Sequence, residues 1–303
     1  MTDCNGPLGQ LVSFEGAGGL RLDGILYRAP RAKITVVHAH GSFGNFYQNV
    51  FVRVLAAEVQ RAGANFFTFN LSAHDGVAEG YFSDGRFEYV GASIVGFDTC
   101  LEDLRGAVRF AEGFSSDVVL SGHSLGCDRV VASSLHHGWR YPLVLLAPCD
   151  SYALQANLRA PETVELQRER LRLEETAPRS GNARESFDWL PLSEYGVRSS
   201  AEWTYPNPIT RNAFLSISAG APYRLFRFDS EPTWHLGCRG LVVTPGSDAL
   251  LTAKSAAVGD FFANALSNCR HLVIPGDHMF AGSEEQLAGH VSRWLGEFDE
   301  ERL

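Results

Sequence analysis

Val118-Val119-Leu120-Ser121-Gly122-His123-Ser124-Leu125-Gly126-Cys127 begins as an apolar run and ends in Gly-x-Ser-x-Gly with Ser124 at its centre. A strand that turns at once into a helix forces the residue at the turn into a strained backbone conformation. Its neighbours two positions away must then be small for the chain to pass itself. Such a turn lifts a serine hydroxyl clear of a sheet and sets it beside the first N–H groups of a helix, where charge on an attacked carbonyl oxygen is stabilised. The pentapeptide alone also fits a plain tight turn. Its flanks favour the nucleophile reading: Asp117-Val118-Val119-Leu120 is a buried-strand pattern, and Asp128 to Leu135 can form a helix with Leu125, Val130 and Val131 inward.

The 303 residues, 45% hydrophobic and 20% charged, suit one large α/β domain or a domain with an insertion. The net charge of -9 and the lack of a basic stripe argue against nucleic acid as a partner. No basic region followed by an apolar run opens the chain, and no apolar stretch approaches spanning length, so neither a secretory signal nor a membrane partner is expected. Six cysteines (Cys4, Cys100, Cys127, Cys149, Cys238, Cys269) lack C-x-x-C spacing and read as reduced thiols of a cytoplasmic protein.

Outward from the motif, the chain alternates strands and helices. Residues 11–16 and 20–30 read as an antiparallel hairpin joined at Gly16 to Gly19, with Leu20, Leu22, Gly24 and Leu26 alternating with Arg21, Asp23 and Ile25. Ile34 to Ala39, Asn65 to Leu71, Tyr141 to Pro148, Leu241 to Thr244 and His271 to Ile274 are further strands. Helices are expected at 46–62 (Phe51, Leu55, Val59 inward), 97–112 (Leu101, Leu104, Val108 inward), 252–266 and 284–298. Residues 72–96 read as irregular. Such alternation means right-handed crossovers and a mostly parallel sheet covered on both faces.

The interval 151–238 breaks the rhythm and divides the chain into a core (1–150 and 239–303) and an inserted cap. Its charged helix, 161–176, reads as a solvated face laced with pairs such as Arg170/Glu174. The aromatics that follow, from Phe187 through Phe226 and Phe228, are mostly a small core for the cap, with some lining a pocket over the carboxyl ends of the strands.

A serine needs a base, and the base needs a third group to hold it. Of ten histidines, His278 stands just after the last strand, on the same sheet edge as Ser124. His40 also ends a strand, but Gly41 beside it suggests another task, and His136 and His137 lie late in a helix leading away. Two acids are open: Asp248, in Thr244-Pro245-Gly246-Ser247-Asp248, and Asp150, one strand earlier. Asp277 adjoins His278, and neighbouring side chains on an extended segment point apart. The oxyanion donors are the N–H of Leu125 and a second N–H from His40-Gly41-Ser42-Phe43-Gly44, that of Ser42 or, failing it, Phe43. This loop has neither of the usual phosphate-loop spacings, and the His38-x-His40 pair lacks a third ligand at metal-site spacing, so no metal is expected.

With His40-Gly41, Gly122-His123-Ser124-Leu125-Gly126, Ser247-Asp248 and Gly276-Asp277-His278 in this chain order, the sequence resembles the α/β-hydrolase superfamily over nearly all of 11–298. The resemblance implies an α/β fold whose eight-stranded sheet has only its second strand antiparallel, and a Ser124–His278–Asp248 triad, which turns the choice of acid toward Asp248. Asn207-Pro208-Ile209-Thr210 through Phe214-Leu215-Ser216 is similar to a little-characterised, esterase-like branch. Epoxide hydrolases and haloalkane dehalogenases of the superfamily need a carboxylate where this chain has Ser124. The expected activity is hydrolysis of a small, partly apolar ester or thioester through an acyl-enzyme, with no metal or organic cofactor and a small-molecule acyl substrate as partner. An acyltransferase or cyclase using the same acyl-enzyme is the alternative, and a non-catalytic binding protein of this fold is the other.

Overall fold

The computed structural model describes residues 8–148, 210–218, 220, 225–226, 231–248 and 255–300. Asp150, Cys149, the helix expected at 161–176 and most of the expected cap lie outside them.

The central sheet has eight strands in the order β1-β2-β4-β3-β7-β8-β9-β10. These are β1 (Gly9–Glu15), β2 (Arg21–Tyr27), β3 (Ile34–Ala39), β4 (Asn65–Phe69), β7 (Asp117–His123), β8 (Leu143–Leu146), β9 (Gly240–Pro245) and β10 (Cys269–Ile274). β2 runs antiparallel to both β1 and β4, and the remaining pairs are parallel, so β2 alone is reversed, as the resemblance implied.

Each inner strand alternates between two apolar layers, which is why it reads as a mostly apolar run. Val37, Phe67, Val118, Leu120, Leu145 and Val242 join the layer under α2 (Thr99–Glu112), α3 (Leu125–His137) and α5 (Ser255–Asn264). Val36, Phe66, Val119, Val144 and Leu241 join the other, under α1 (Val50–Arg61) and α6 (Glu284–Glu300). The helix faces expected inward are buried: Phe51, Leu55 and Val59 on α1, Leu101, Leu104 and Val108 on α2, and Leu125, Val130 and Val131 on α3. At some 25 cal/mol per Å² of apolar surface removed from water, these two layers are the main driving force of the fold.

Three local readings change. The stretch 72–96 is not wholly irregular: β5 (Ala78–Tyr81) and β6 (Phe87–Val90) form a hairpin with Tyr81 opposite Phe87. Its turn is made by Asp84, whose carboxylate accepts the Arg86 N–H at 3.0 Å. Its aromatics face outward (Tyr81, Phe87 and Tyr89 are exposed), inverting the usual pattern. Next, α1 starts at Val50 rather than 46, because Asn45 Oδ1 takes the N–H groups of Tyr47 and Gln48 and holds that stretch in a side-chain-closed turn. Finally, Phe226 packs with Trp234 and Phe262 in the core beneath α5 rather than within a separate cap.

α4 (Arg211–Ser218) lies against the loop before α2: Thr210 N–H donates to the Ser93 carbonyl at 2.7 Å, and Phe97 N–H to Ser216 Oγ at 2.8 Å. Ile217 joins Phe97, Leu101, Leu125 and Ala132 in a small apolar cluster at the start of α3.

Candidate active site

Ser124 links β7 to α3 at φ 56 and ψ -130, a conformation that costs a non-glycine residue on the order of 1–3 kcal/mol. The two glycines of the motif are fixed by close approach: a Cβ on Gly122 would lie 2.3 Å from the Gly126 carbonyl oxygen, and one on Gly126 2.4 Å from that of Ala39. Leu125 opens α3, so its N–H is among the first four of the helix, which have no intrahelical acceptor.

Strain gathers at this edge. Among the described residues, five of the seven non-glycine residues at positive φ (Phe43, Asp75, Ser124, Ala147 and Phe280) follow the carboxyl end of a parallel strand, while Arg31 and Asn268 precede strands. The edge is also where doubly covered parallel sheets bind ligands.

Asp248 and His278 meet here. Asp248 Oδ2 lies 2.7 Å from His278 Nδ1, with the Asp248 side chain 0% and that of His278 9% exposed. A carboxylate can only accept, so Nδ1 carries the proton and Nε2 is left with its lone pair. The two loops are stitched together by Gly246 N–H to the Ile274 carbonyl at 2.7 Å and Ser247 N–H to that of Gly276 at 3.1 Å. Asp277 is occupied otherwise: its Oδ1 accepts the N–H groups of Met279 and Ala281, each at 3.0 Å, and shapes the turn that carries His278.

His123, the residue before Ser124, ties the serine to this loop. Its Nε2–H donates to the His278 carbonyl at 2.9 Å, and the two rings lie 5.0 Å apart. Burial, reinforced by His278 nearby, holds the His123 pKa well below the ordinary range, so it is a neutral donor.

The loop after β3 reaches the same point. A Cβ on Gly41 would lie 2.8 Å from Ser124 Cβ and 3.3 Å from its Oγ. His40 is a strut of this loop: its Nε2 accepts the Leu71 N–H at 3.1 Å, so Nδ1 carries the proton that goes to the Gly41 carbonyl at 2.8 Å. Burial, then the Arg129 charge, lowers its pKa to about 3. His38 is lowered to about 3 by burial; it bonds Ser121 Oγ through Nδ1 at 2.9 Å and stacks on Phe66. His40 thus has both ring nitrogens bonded within the protein, whereas His38 Nε2 is buried without a hydrogen-bond partner among the described residues.

Among the described residues, Glu102, His136 and His137 are the group whose ligand atoms cluster within 4.8 Å of one another. His137 Nε2 bonds the Leu101 carbonyl at 3.3 Å and Glu102 pairs with Arg105, so the cluster acts as a clasp between α2 and α3. No helix of the described residues is long and apolar enough to cross a membrane.

Two side chains that the sequence reading passed over support the site. Arg129, buried in α3, donates from Nη1 to the carbonyls of His40 at 3.2 Å and Gly41 at 3.3 Å. Asp75 sits behind the same loop, accepting from Asn45 Nδ2 at 2.7 Å and Tyr47 Oη at 3.0 Å, while its N–H donates to the Gly44 carbonyl at 3.1 Å. A charged residue in the apolar helix pattern Asp128-Arg129-Val130-Val131 was the one available signal for the first.

No protein-family model matches the chain, and no curated protein matches it. Solved structures do. Est1E from Butyrivibrio proteoclasticus with bound ferulic acid is similar at a TM-score of 0.62 and 16% identity, over 94% of this chain and 98% of that one. DcsB in complex with its substrate analogue gives 0.64 at 15% identity, over 96% and 99%. Alpha/beta hydrolase domain-containing protein 10 from mouse gives 0.60 at 12%, over 97% and 100%. The strand order, the single reversed strand, the strained serine between β7 and α3 and these full-length likenesses agree: the chain has the α/β-hydrolase fold.

Proposed function

We propose that the protein is a serine hydrolase that cleaves a carboxylic ester or thioester of a small, partly apolar substrate through an acyl-enzyme on Ser124. The observation that carries this reading is the buried Asp248–His278 pair at 2.7 Å, in a loop bonded to the residue preceding a strained serine. In this reading Ser124 Oγ attacks the substrate carbonyl while His278 Nε2 takes its proton. Asp248 holds Nδ1–H and stabilises the imidazolium. The N–H groups of Leu125 and Ser42, with Phe43 next in line, bind the oxyanion. His278 then protonates the leaving alcohol or thiol, and a water that it deprotonates releases the acid.

The apolar cluster of Phe97, Leu125 and Ile217 beside the nucleophile helix favours a partly apolar acyl group. Ferulic acid, the molecule bound by Est1E, is a carboxylic acid of that kind. The test is intact mass after incubation with a fluorophosphonate, run beside a Ser124→Ala protein. One adduct on the wild type and none on the variant is expected, followed by turnover of p-nitrophenyl esters. A folded wild type that takes no adduct and turns over no ester would favour a non-catalytic binding role and overturn the reading.

A further inference from the structure

We infer that Arg129 is a positioning residue for the oxyanion site, acting through the Gly41–Ser42 peptide. This rests on the serine-hydrolase reading above and adds to it a group that never touches substrate. Arg129 stands five residues after Ser124, on the second turn of α3, and is among the largest fully enclosed side chains of the core. Burying a guanidinium is costly unless its donors are well used. Here Nη1 bonds the carbonyls of His40 and Gly41, and Nε finds no acceptor among the described residues. A cation so sparsely satisfied contributes little to the fold beyond what an apolar residue would, and points to a use for its charge.

The use follows from peptide geometry. The Gly41 carbonyl receives three donors: His40 Nδ1–H at 2.8 Å, Arg129 Nη1–H at 3.3 Å and Gly44 N–H at 3.3 Å. In a trans peptide the N–H points opposite the carbonyl, and the described chain has no cis bonds. Fixing the Gly41 oxygen toward Arg129 therefore turns the Ser42 N–H the other way. A positive charge at the oxygen end of this peptide reinforces its dipole, and the N–H end becomes a stronger donor to a developing oxyanion. His40 supplies orientation without charge, because its two nitrogens are fixed by Leu71 and Gly41. Arg129 supplies orientation and charge together. The Asp103 carboxyl group, on α2, feels the Arg129 charge and is held by the N–H groups of Ala17 and Ser72 and the Ser72 hydroxyl.

The experiment compares wild type, Arg129→Lys and Arg129→Met on p-nitrophenyl acetate, with binding of phenylboronic acid as the readout of the tetrahedral, oxyanion-like state. Losing one oxyanion donor costs about 100-fold or more in kcat. Arg129→Met should lose about that factor with KM within about twofold, and boronate affinity should fall by a similar factor. Arg129→Lys keeps the charge but reaches fewer carbonyls, and should recover about tenfold of the loss. If Arg129→Met does not fold, the lysine variant decides alone: kcat and boronate affinity both reduced support the proposal, and both at wild-type levels overturn it. A folded Arg129→Met with wild-type kcat overturns it as well. Loss of KM alone, with boronate affinity unchanged, marks a merely structural role and also overturns it. A wild type whose turnover does not depend on Ser124 overturns the hydrolase reading itself, and this proposal with it.

Discussion

Two single side chains test the site most sharply. Gly41 has no Cβ because Ser124 occupies the space where one would go, 2.8 Å from the serine Cβ. Gly41→Ala should therefore displace Ser124 and, on the serine-hydrolase proposal, lower kcat by up to about 100-fold, the cost of a misplacement of about 1 Å. Steady-state kinetics on a p-nitrophenyl ester would show it, and an unchanged kcat would mean that the loop after β3 yields freely. His123 offers a paired test. His123→Phe removes the donor to the His278 carbonyl and should cost roughly 1–3 kcal/mol of stability, for a buried acceptor left unpaired. On the serine-hydrolase proposal it should also lower kcat by loosening His278. His123→Gln, whose amide can still donate, should recover much of both. Equal behaviour of the two variants, by thermal unfolding and kinetics, would show that the hydrogen bond is not what the ring contributes.

At the scale of elements, what was legible followed burial. β3, β4, β7, β8 and β9 are covered on both faces, so each appears in the sequence as a mostly apolar run. β7 also carries the motif that fixes its own end. The β5–β6 hairpin was missed because its aromatics point to solvent, so the alternation of Phe87 and Tyr89 marks the wrong face. The start of α1 was misplaced because one side chain, Asn45, closes a turn that periodicity does not see. Ser124, His278 and the two acids Asp248 and Asp150 could be named as candidates because each ends or follows a strand at one sheet edge, the resemblance turning the choice toward Asp248, whereas Arg129 and Asp75 act on backbone groups of a loop distant in sequence. α4 yields a prediction at this scale. It is held to the Gly96–Phe97 loop by the Ser216 hydroxyl at 2.8 Å from the Phe97 N–H. Ser216→Ala should leave global stability within about 1–3 kcal/mol of wild type but speed amide exchange across 211–218 selectively. Exchange that rises evenly over the molecule would mean that α4 is not anchored there.

For the molecule as a whole, the buried histidines set an acid limit. His38 and His40 lie in the interior at β3 and its loop, and burial lowers each to about 3. An unfolded histidine titrates near 6.5. A group whose folded pKa is depressed contributes stability above its unfolded value and loses it as the pH falls toward the folded one. Below about 6.5 the unfolded chain takes up protons that these folded side chains refuse, and the window runs from there down to about 3. At pH 5, a difference of about 1.5 units at 1.36 kcal/mol per unit gives about 2 kcal/mol for each, or about 4 kcal/mol together. Asp103 works in the opposite sense, since burial raises its pKa and its folded form binds a proton more readily than its unfolded form. Its contribution grows as the pH falls toward the ordinary carboxylate range, so it works against the histidine loss. Four kcal/mol is a large share of the 5–15 kcal/mol typical of a folded domain. The thermal midpoint should therefore drop by several degrees between pH 7 and pH 5, before most carboxylates titrate. Calorimetry at the two values decides it: a midpoint that does not move would mean that His38 and His40 take up their protons in the folded state, and that the interior around β3 admits a charge that its geometry is built to exclude.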